Sequence, residues 1–114
     1  MIIEKFEDII SWKKSKDLVL IVYRCLNSCK DYSFKDQICR AVVSIMNNIA
    51  EGFERRSNKD FKNFLFISKG SCGEVRSMSY LALELGYISK KDFELILTSS
   101  EEISKMLSGL IKVL

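Results

Sequence analysis

Apolar residues recur every three or four positions along most of the chain, which is the spacing of amphipathic α-helices. The pattern divides into four segments and predicts helices near residues 7–29, 34–54, 58–85 and 90–113. The connections between them are short, so consecutive helices are expected to run antiparallel. The sequence therefore predicts an all-α fold, an up-down-up-down four-helix bundle that forms a single domain over residues 1–114.

Short polar motifs mark where these helices begin and end. Ser33, Ser57 and Ser89 are each followed three residues later by aspartate, the pattern of a helix N-cap. A serine hydroxyl there can accept a hydrogen bond from a free amide of the first turn, and the acid favours the positive helix end. Gly86 predicts the end of the third helix. No proline interrupts any segment.

The apolar faces of the first two helices are wider than one bundle core requires. In the second helix, Cys39, Val43, Met46 and Ala50 widen the face to roughly half of the circumference. One interpretation is a generous core with ordinary surface hydrophobes. We favour a second buried face that packs against other copies of the chain, giving a homo-oligomer.

The polar side chains of the second helix also fall on one ridge, because their spacings are 3, 4, 4, 3 and 4 residues. The ridge consists of Gln37, Arg40, Ser44, Asn48, Glu51 and Arg55. We expect these residues, with Gly52 in the Asn-Ile-Ala-Glu-Gly turn in which the helix ends, to form hydrogen bonds within the bundle or between subunits. The alternative is a solvated helix face. The ridge offers no nucleophile–base pair and so does not predict catalysis.

The third helix carries a row of basic and aromatic residues with 3-4 spacing. The row consists of Lys59, Lys62, Phe66, Lys69, Gly73, Arg76 and Tyr80, and Arg55 and Arg56 extend it at the helix entrance. Residues 55–76 hold six of the 18 basic side chains and two of the 15 acidic ones, so the excess positive charge lies here. Cations replace counterions on phosphates and rings stack on bases, which predicts RNA binding. The alternative is a solvated face with one aromatic packed on a neighbouring helix.

Other chemistries find little support. The chain lacks histidine, which excludes histidine-based triads and the Glu-x-x-His di-iron bundle. The four cysteines lack zinc-knuckle spacing and are interpreted as reduced thiols. The beginning of the chain lacks an apolar signal core, and no apolar run is long enough to cross a bilayer. We therefore expect a cytoplasmic protein without metal, cofactor, membrane partner or enzymatic activity.

The sequence resembles the four-helix bundle proteins encoded within intervening sequences of bacterial 23S ribosomal RNA genes. The motifs that carry the resemblance are Phe6-x-Asp8-Ile9 with Trp12, Gln37 with Arg40-Ala41, Ser44-Ile45, Asn48-Ile-Ala-Glu-Gly52, Arg55, Ser57 with Phe61, Phe64-Leu65, Gly70-Ser71, Glu74 and Leu85-Gly86-Tyr87-Ile88. The resemblance implies a bacterial cytosolic protein, a ring-like homopentamer and a role that involves RNA. Gly73 stands where members more often carry a larger residue.

A second, weaker resemblance bears on partners. The accessory protein of diversity-generating retroelements is a similar bundle that binds nucleic acid and a reverse transcriptase, although it lacks the Asn48–Gly52 block. It implies a nucleic-acid-processing protein as a further partner. Two functions follow for this chain: an oligomer that binds RNA through the third helix, or a scaffold that docks a protein partner without binding nucleic acid.

Overall fold

A computed structural model of the protein describes residues 3–114, so residues 1 and 2 of the predicted domain lie outside the described part. The helices are α1 (Ile10–Cys25), α2 (Tyr32–Phe53), α3 (Asn58–Glu84) and α4 (Lys90–Lys112), and a short 3-10 turn (Phe6–Asp8) precedes α1. No strand occurs within residues 3–114. The predicted all-α, four-helix fold is confirmed.

Each helix packs against two neighbours, so the four helices form the corners of a square: α1 on α2, α2 on α3, α3 on α4 and α4 on α1. The pairing is antiparallel. Early residues of α2 contact late residues of α3, as Gln37 does with Glu74, and late residues of α2 contact early ones of α3, as Phe53 does with Phe61. The bundle measures 43 × 22 × 19 Å.

Serine hydroxyls cap two of the helices as their sequence motifs predict. Ser57 accepts a hydrogen bond from the amide of Asp60, and Ser89 accepts one from the amide of Asp92, both at 3.1 Å. Gly86 ends α3 with a φ of 76°, a left-handed conformation that glycine adopts without a Cβ penalty. The amide of the next residue, Tyr87, then reaches back to the Ala82 carbonyl at 2.9 Å.

The prediction that Ser33 caps α2 is wrong. The helix begins two residues earlier than expected, at Tyr32, and Asp31 is its N-cap. The Asp31 carboxylate accepts from the amide of Phe34 at 3.1 Å and also from the hydroxyl of Tyr87 at 2.6 Å. Tyr87 lies in the α3–α4 connection, so this second bond holds Asp31 in place as the N-cap. The local sequence alone would equally allow Ser33 to be the N-cap.

The first helix is shorter than the predicted 7–29. Ile9 is extended, with φ −73° and ψ 121°, which separates the 3-10 turn from α1 and inserts the Ile9 side chain into the core. At the other end Leu26 leaves the helical region, and the chain reverses through tight turns such as Cys29 N–H to Leu26 O. Both boundaries are therefore set by side chains that enter the core.

The core runs the length of the bundle and draws on all four helices. Its largest fully buried side chains include Leu18, Leu26, Ile38, Ile45, Ile49, Leu65, Ile96, Ile103 and Leu107. The positions that widen the apolar faces of α1 and α2 are buried or half-buried in the single chain: Ile21, Cys25, Cys39, Val43, Met46 and Ala50. The bundle itself thus covers much of the surface on which the expected second interface rested.

Candidate nucleic-acid interface

Two members of the predicted row of basic and aromatic residues, Lys69 and Tyr80, lie on α3 where this helix borders α4. The Lys69 ammonium group donates to the hydroxyl of Ser108 on α4. The ring of Tyr80 meets that of Phe93 edge to face, with centroids 5.0 Å apart and an interplanar angle of 65°. The row is therefore anchored to α4 at two points, and part of it follows the alternative of an aromatic packed on a neighbouring helix.

The cations of the row remain accessible. We call Lys59, Lys62, Lys69 and Arg76 the basic edge of α3; Lys59 is exposed, and the other three are half-buried. The edge runs from Lys59 to Arg76, a rise of about 26 Å at 1.5 Å per residue. Half-burial suits such side chains, because their alkyl stems cover apolar surface while the charged ends reach water. This spacing presents one positive charge about every turn or two of the helix.

Two aromatic rings accompany the basic edge. Phe66 is 57% exposed and Tyr80 is 54% exposed. Tyr80 is exposed although it contacts Phe93, so part of its surface is open to a stacking base. Both rings thus have the exposure that base stacking requires.

Arg55 and Arg56 lie at the end of the bundle where α3 begins. Arg55 donates to Glu51 at 3.0 Å, and its guanidinium lies 4.8 Å from the centre of the Phe64 ring. Both arginines line an open cavity of about 590 Å³ between the start of α3 and the end of α4, together with Ser57. Both arginines are exposed, but Arg55 is held in place by two contacts.

The polar ridge of α2 divides into two groups in the structure. Ser44 joins the seam with α3, because Ser71 of α3 donates to the Ser44 hydroxyl at 3.0 Å. Asn48 bonds within α2, where its amide donates to the Ser44 carbonyl and hydroxyl at 2.8 and 2.9 Å. Gln37 reaches Glu74 of α3 at a long 3.5 Å. These residues form hydrogen bonds within one chain.

The charged members of the ridge face solvent instead. Arg40 pairs with Asp36 at 2.9 Å within α2, and Arg55, two residues beyond the end of α2, pairs with Glu51 at 3.0 Å. Their side chains are between 47% and 80% exposed, so water screens both pairs. The subunit contacts expected of this ridge remain a prediction.

Gly52 lies inside α2, one residue before its end, rather than in a turn, and it packs tightly against the first turns of α3. A Cβ atom added there would lie 2.6 Å from Cβ of Phe64 and 3.1 Å from Cδ1 of Phe61. Real Cβ atoms do not approach that closely, so only glycine fits without displacing α3. The Asn48–Gly52 block therefore serves packing: Asn48 donates to the Ser44 hydroxyl that accepts from Ser71 of α3, and Gly52 lets the third helix begin beside the second.

The thiols lack the features of a reactive or metal-binding site. Burial raises the pKa of Cys25 and of Cys72 to about 11, and it raises the pKa of Cys39 as well. These groups stay protonated near neutral pH and behave as small apolar side chains. Across residues 3–114 the structure places no group of three or more acidic or thiol side chains where they could share a metal ion.

Sequence reasoning misses two features. One is the Tyr87–Asp31 hydrogen bond, which lowers the pKa of Asp31 and raises that of Tyr87. The other is the outward side of α3, where Ile67, Gly70 and Leu81 fall at helical spacing beside the basic row. The helical spacing could have predicted the outward side of α3. The local sequence does not predict a hydrogen bond between residues 56 positions apart.

Comparison with known proteins identifies the class. The model of the 23S rRNA-intervening sequence protein family matches residues 7–109, and the chain belongs to this family. A crystal structure of a protein of unknown function from Bacteroides thetaiotaomicron, described as a member of the S23 ribosomal protein family, is similar over 90% of this chain and 99% of that one. The two are 31% identical, with a TM-score of 0.84.

Two further findings complete the comparison. No curated protein matches the sequence. No helix within the described residues is both long enough and apolar enough to pass through a membrane.

Proposed function

We propose that this protein is a non-enzymatic, cytoplasmic homo-oligomer that binds single-stranded RNA through the basic edge of α3. One observation carries the proposal: four accessible cations line one edge of one helix, beside two rings that are about half exposed. The cations would contact phosphates, and Tyr80 or Phe66 would stack on a base. Arg56 extends the track at the start of α3.

The small charge of the single chain is the main objection. A net charge of +3 supports few phosphate contacts, and affinity rises with the number of phosphates neutralised. A ring of copies, a pentamer as the family resemblance implies, would present the same edge several times to one strand. Binding of the second and later edges then becomes intramolecular, which raises the overall affinity without any new contact.

The second candidate function is a scaffold that docks a protein partner. The observation that favours it is that Lys69 and Tyr80 already contact α4, so part of the row has a structural role. The partner would be a nucleic-acid-processing protein, as the weaker family resemblance implies. In the scaffold the basic edge would remain solvated or would face acidic side chains of the partner.

Titration of fluorescent single-stranded RNA at two salt concentrations separates these functions. Reversing Lys62 and Lys69 to glutamate should weaken binding to all sequences and flatten the salt dependence, because phosphate contacts carry no base information. The matched control reverses Lys13 and Lys16, which are exposed on α1, diagonally across the bundle from α3. Both variants carry the same charge change, so only a local effect distinguishes them.

Replacing Tyr80 by alanine tests the stacking contact. The variant should lose about 1–3 kcal/mol of binding free energy on single strands and much less on duplex RNA. The comparison of the two RNA forms removes any general effect of losing the Tyr80–Phe93 contact. Equal affinities for wild type and the Lys62, Lys69 variant, with the oligomer intact in both, would favour the scaffold.

A further inference from the structure

One end of the bundle carries an apolar cavity that the proposed RNA contacts do not use. It has a volume of about 400 Å³ and lies between the segment around the start of α1 and the last turns of α4. Its walls are mainly aliphatic and include Ile3, Ile9, Ile10, Met106, Leu110 and Val113. Water gains little from such walls, so an apolar group would fill the cavity favourably.

A second cavity, of about 590 Å³, adjoins the first at the same end of the bundle. Ile3, Leu110 and Val113 line both cavities, so these side chains form the boundary between them. The rings of Phe53 and Phe61 also line the second cavity and meet edge to face, with centroids 5.8 Å apart. We call the two cavities together the end groove. Each part of it has a volume typical of small-molecule sites.

The rim of the second cavity is cationic. Arg55 and Arg56 both line it. Arg55 pairs with Glu51 at 3.0 Å, whereas Arg56 forms no ion pair within residues 3–114, so the rim holds one uncompensated positive charge. The first cavity carries an acidic group instead, the carboxylate of Asp8. The end groove therefore favours one orientation of a bound anion, with its charge beside Arg56 and away from Asp8.

We infer that the end groove binds a free fatty acid, a monocarboxylate with a single alkyl chain. The carboxylate accepts hydrogen bonds from the guanidinium of Arg56 and from the side-chain amide of Asn58, which lines the same cavity. The alkyl chain lies against the rings of Phe53 and Phe61 and passes Val113 into the first cavity. A monoanion matches the single uncompensated charge of the rim, and an apolar chain matches the walls.

This site goes beyond the proposed RNA binding and does not depend on it. The basic edge of α3 contributes no residue to either cavity. Only Arg56 would serve both ligands, so a bound fatty acid would remove one phosphate contact from the RNA track and leave the basic edge accessible. Binding of the two ligands can therefore be measured separately.

The first test varies the ligand. Isothermal titration calorimetry of the full chain compares decanoate, hexanoate and decanol at concentrations where all three are monomeric. Burial of each methylene should tighten binding about fourfold, hence on the order of 200-fold for decanoate over hexanoate. Arg56→Gln should weaken decanoate binding about tenfold or more and leave decanol binding unchanged, because decanol lacks the charge. The matched control is Arg24→Gln, an exposed arginine of α1 that lines neither cavity.

The second test fills the groove. Gly109 lines the first cavity, and a Cβ atom added there would meet nothing within 4 Å, so Gly109→Leu should fold and occupy the space of the alkyl chain. The variant should lose decanoate and decanol binding alike. The matched control is Gly70→Leu on α3, where an added Cβ also meets nothing within 4 Å but no cavity of the groove is lined. It should bind decanoate as wild type does.

A third variant keeps the test decisive if Gly109→Leu does not fold. Val113 is 78% exposed at the boundary of the two cavities, so Val113→Glu should fold and repel the carboxylate and the alkyl chain. Leu95→Glu, an exposed position of α4 outside the groove, is its control. Circular dichroism reports the helix content of each variant. Wild type that does not bind decanoate, equal affinities for decanoate and hexanoate, or wild-type binding by folded Gly109→Leu or Val113→Glu would overturn the inference. Loss of decanoate binding in these variants with RNA binding unchanged would support it, and the reversal of Lys62 and Lys69 tests the RNA proposal independently.

Discussion

Small residues occur on two sides of α3, but only those on one side contact another helix. Towards α2, Ser68 donates to the Ile45 carbonyl at 2.9 Å and Ser71 donates to Ser44, while Gly52 of α2 meets the first turns of α3 at closest packing. On the side of α3 that points away from the bundle, here called the outer face, Gly70 and Gly73 border open space and Ser77 is exposed. Small residues permit close approach of another element, but they add stability only when that element packs against them. The contrast identifies which side of the helix is complete within one chain.

The largest effect is expected where the α2–α3 seam is tightest. Gly52→Ala places a Cβ 2.6 Å from Cβ of Phe64, an atom next to the backbone that cannot move without its helix. The variant should lose about 1–3 kcal/mol of unfolding free energy from overpacking, even though alanine favours the helix. Urea unfolding followed by circular dichroism measures the change. An unfolding midpoint equal to that of wild type would show that α3 yields easily and that the seam is loose.

The same substitution on the outer face should have the opposite sign. Gly70→Ala adds a methyl group that meets nothing within 4 Å, so the gain in helix propensity should raise the stability of the single chain by up to about 1 kcal/mol. The measurement is urea unfolding at a concentration where light scattering gives a monomer. A loss of stability under that condition would mean that the single chain itself uses the space beside Gly70.

An intermediate effect is expected from the hydrogen bonds of the seam. Ser68 is fully buried, and its hydroxyl donates to the carbonyl of Ile45 at 2.9 Å. Ser68→Ala should cost about 0.5–1.5 kcal/mol, the net value of one such bond. Ser77→Ala, on the exposed outer face, is the matched control and should be neutral or slightly stabilising. Equal effects of the two substitutions in urea unfolding would remove the distinction between the seam and the outer face.

The sequence predicts most of the fold because the determinants are local. Ser57 and Ser89 each accept a hydrogen bond from the amide three residues later. The apolar spacing alone separates the core face of α3 from its basic row. The start of α2 could not be predicted in this way, because Asp31 is fixed by Tyr87 of a distant turn. A helix boundary of this kind depends on which distant residue lies beside it, and the apolar periodicity of the sequence carries no information about that.

The candidate site was only partly predictable for the same reason. Spacing places Lys69 and Tyr80 in one row with Lys62, as the structure does, but it does not show that Ser108 and Phe93 of α4 contact two of them. Nor does it separate a glycine that a neighbour requires, Gly52, from one that borders open space. Both distinctions depend on which helix lies alongside, which only the assembled bundle defines.

The smallest effect on stability is expected at the solvent-exposed end of the α2 ridge. A larger effect there would indicate a contact between copies of the chain. Glu51 pairs with Arg55 at 3.0 Å, and the two side chains are 55% and 47% exposed. Glu51→Ala should therefore cost no more than about 0.5 kcal/mol in the single chain, and added salt should abolish the difference. Arg55 keeps its contact with the Phe64 ring, so no unpaired buried charge results. Urea unfolding at low and high salt measures the effect, and sedimentation reports the mass. A loss above 1 kcal/mol that grows with protein concentration would place Glu51 at a contact between copies.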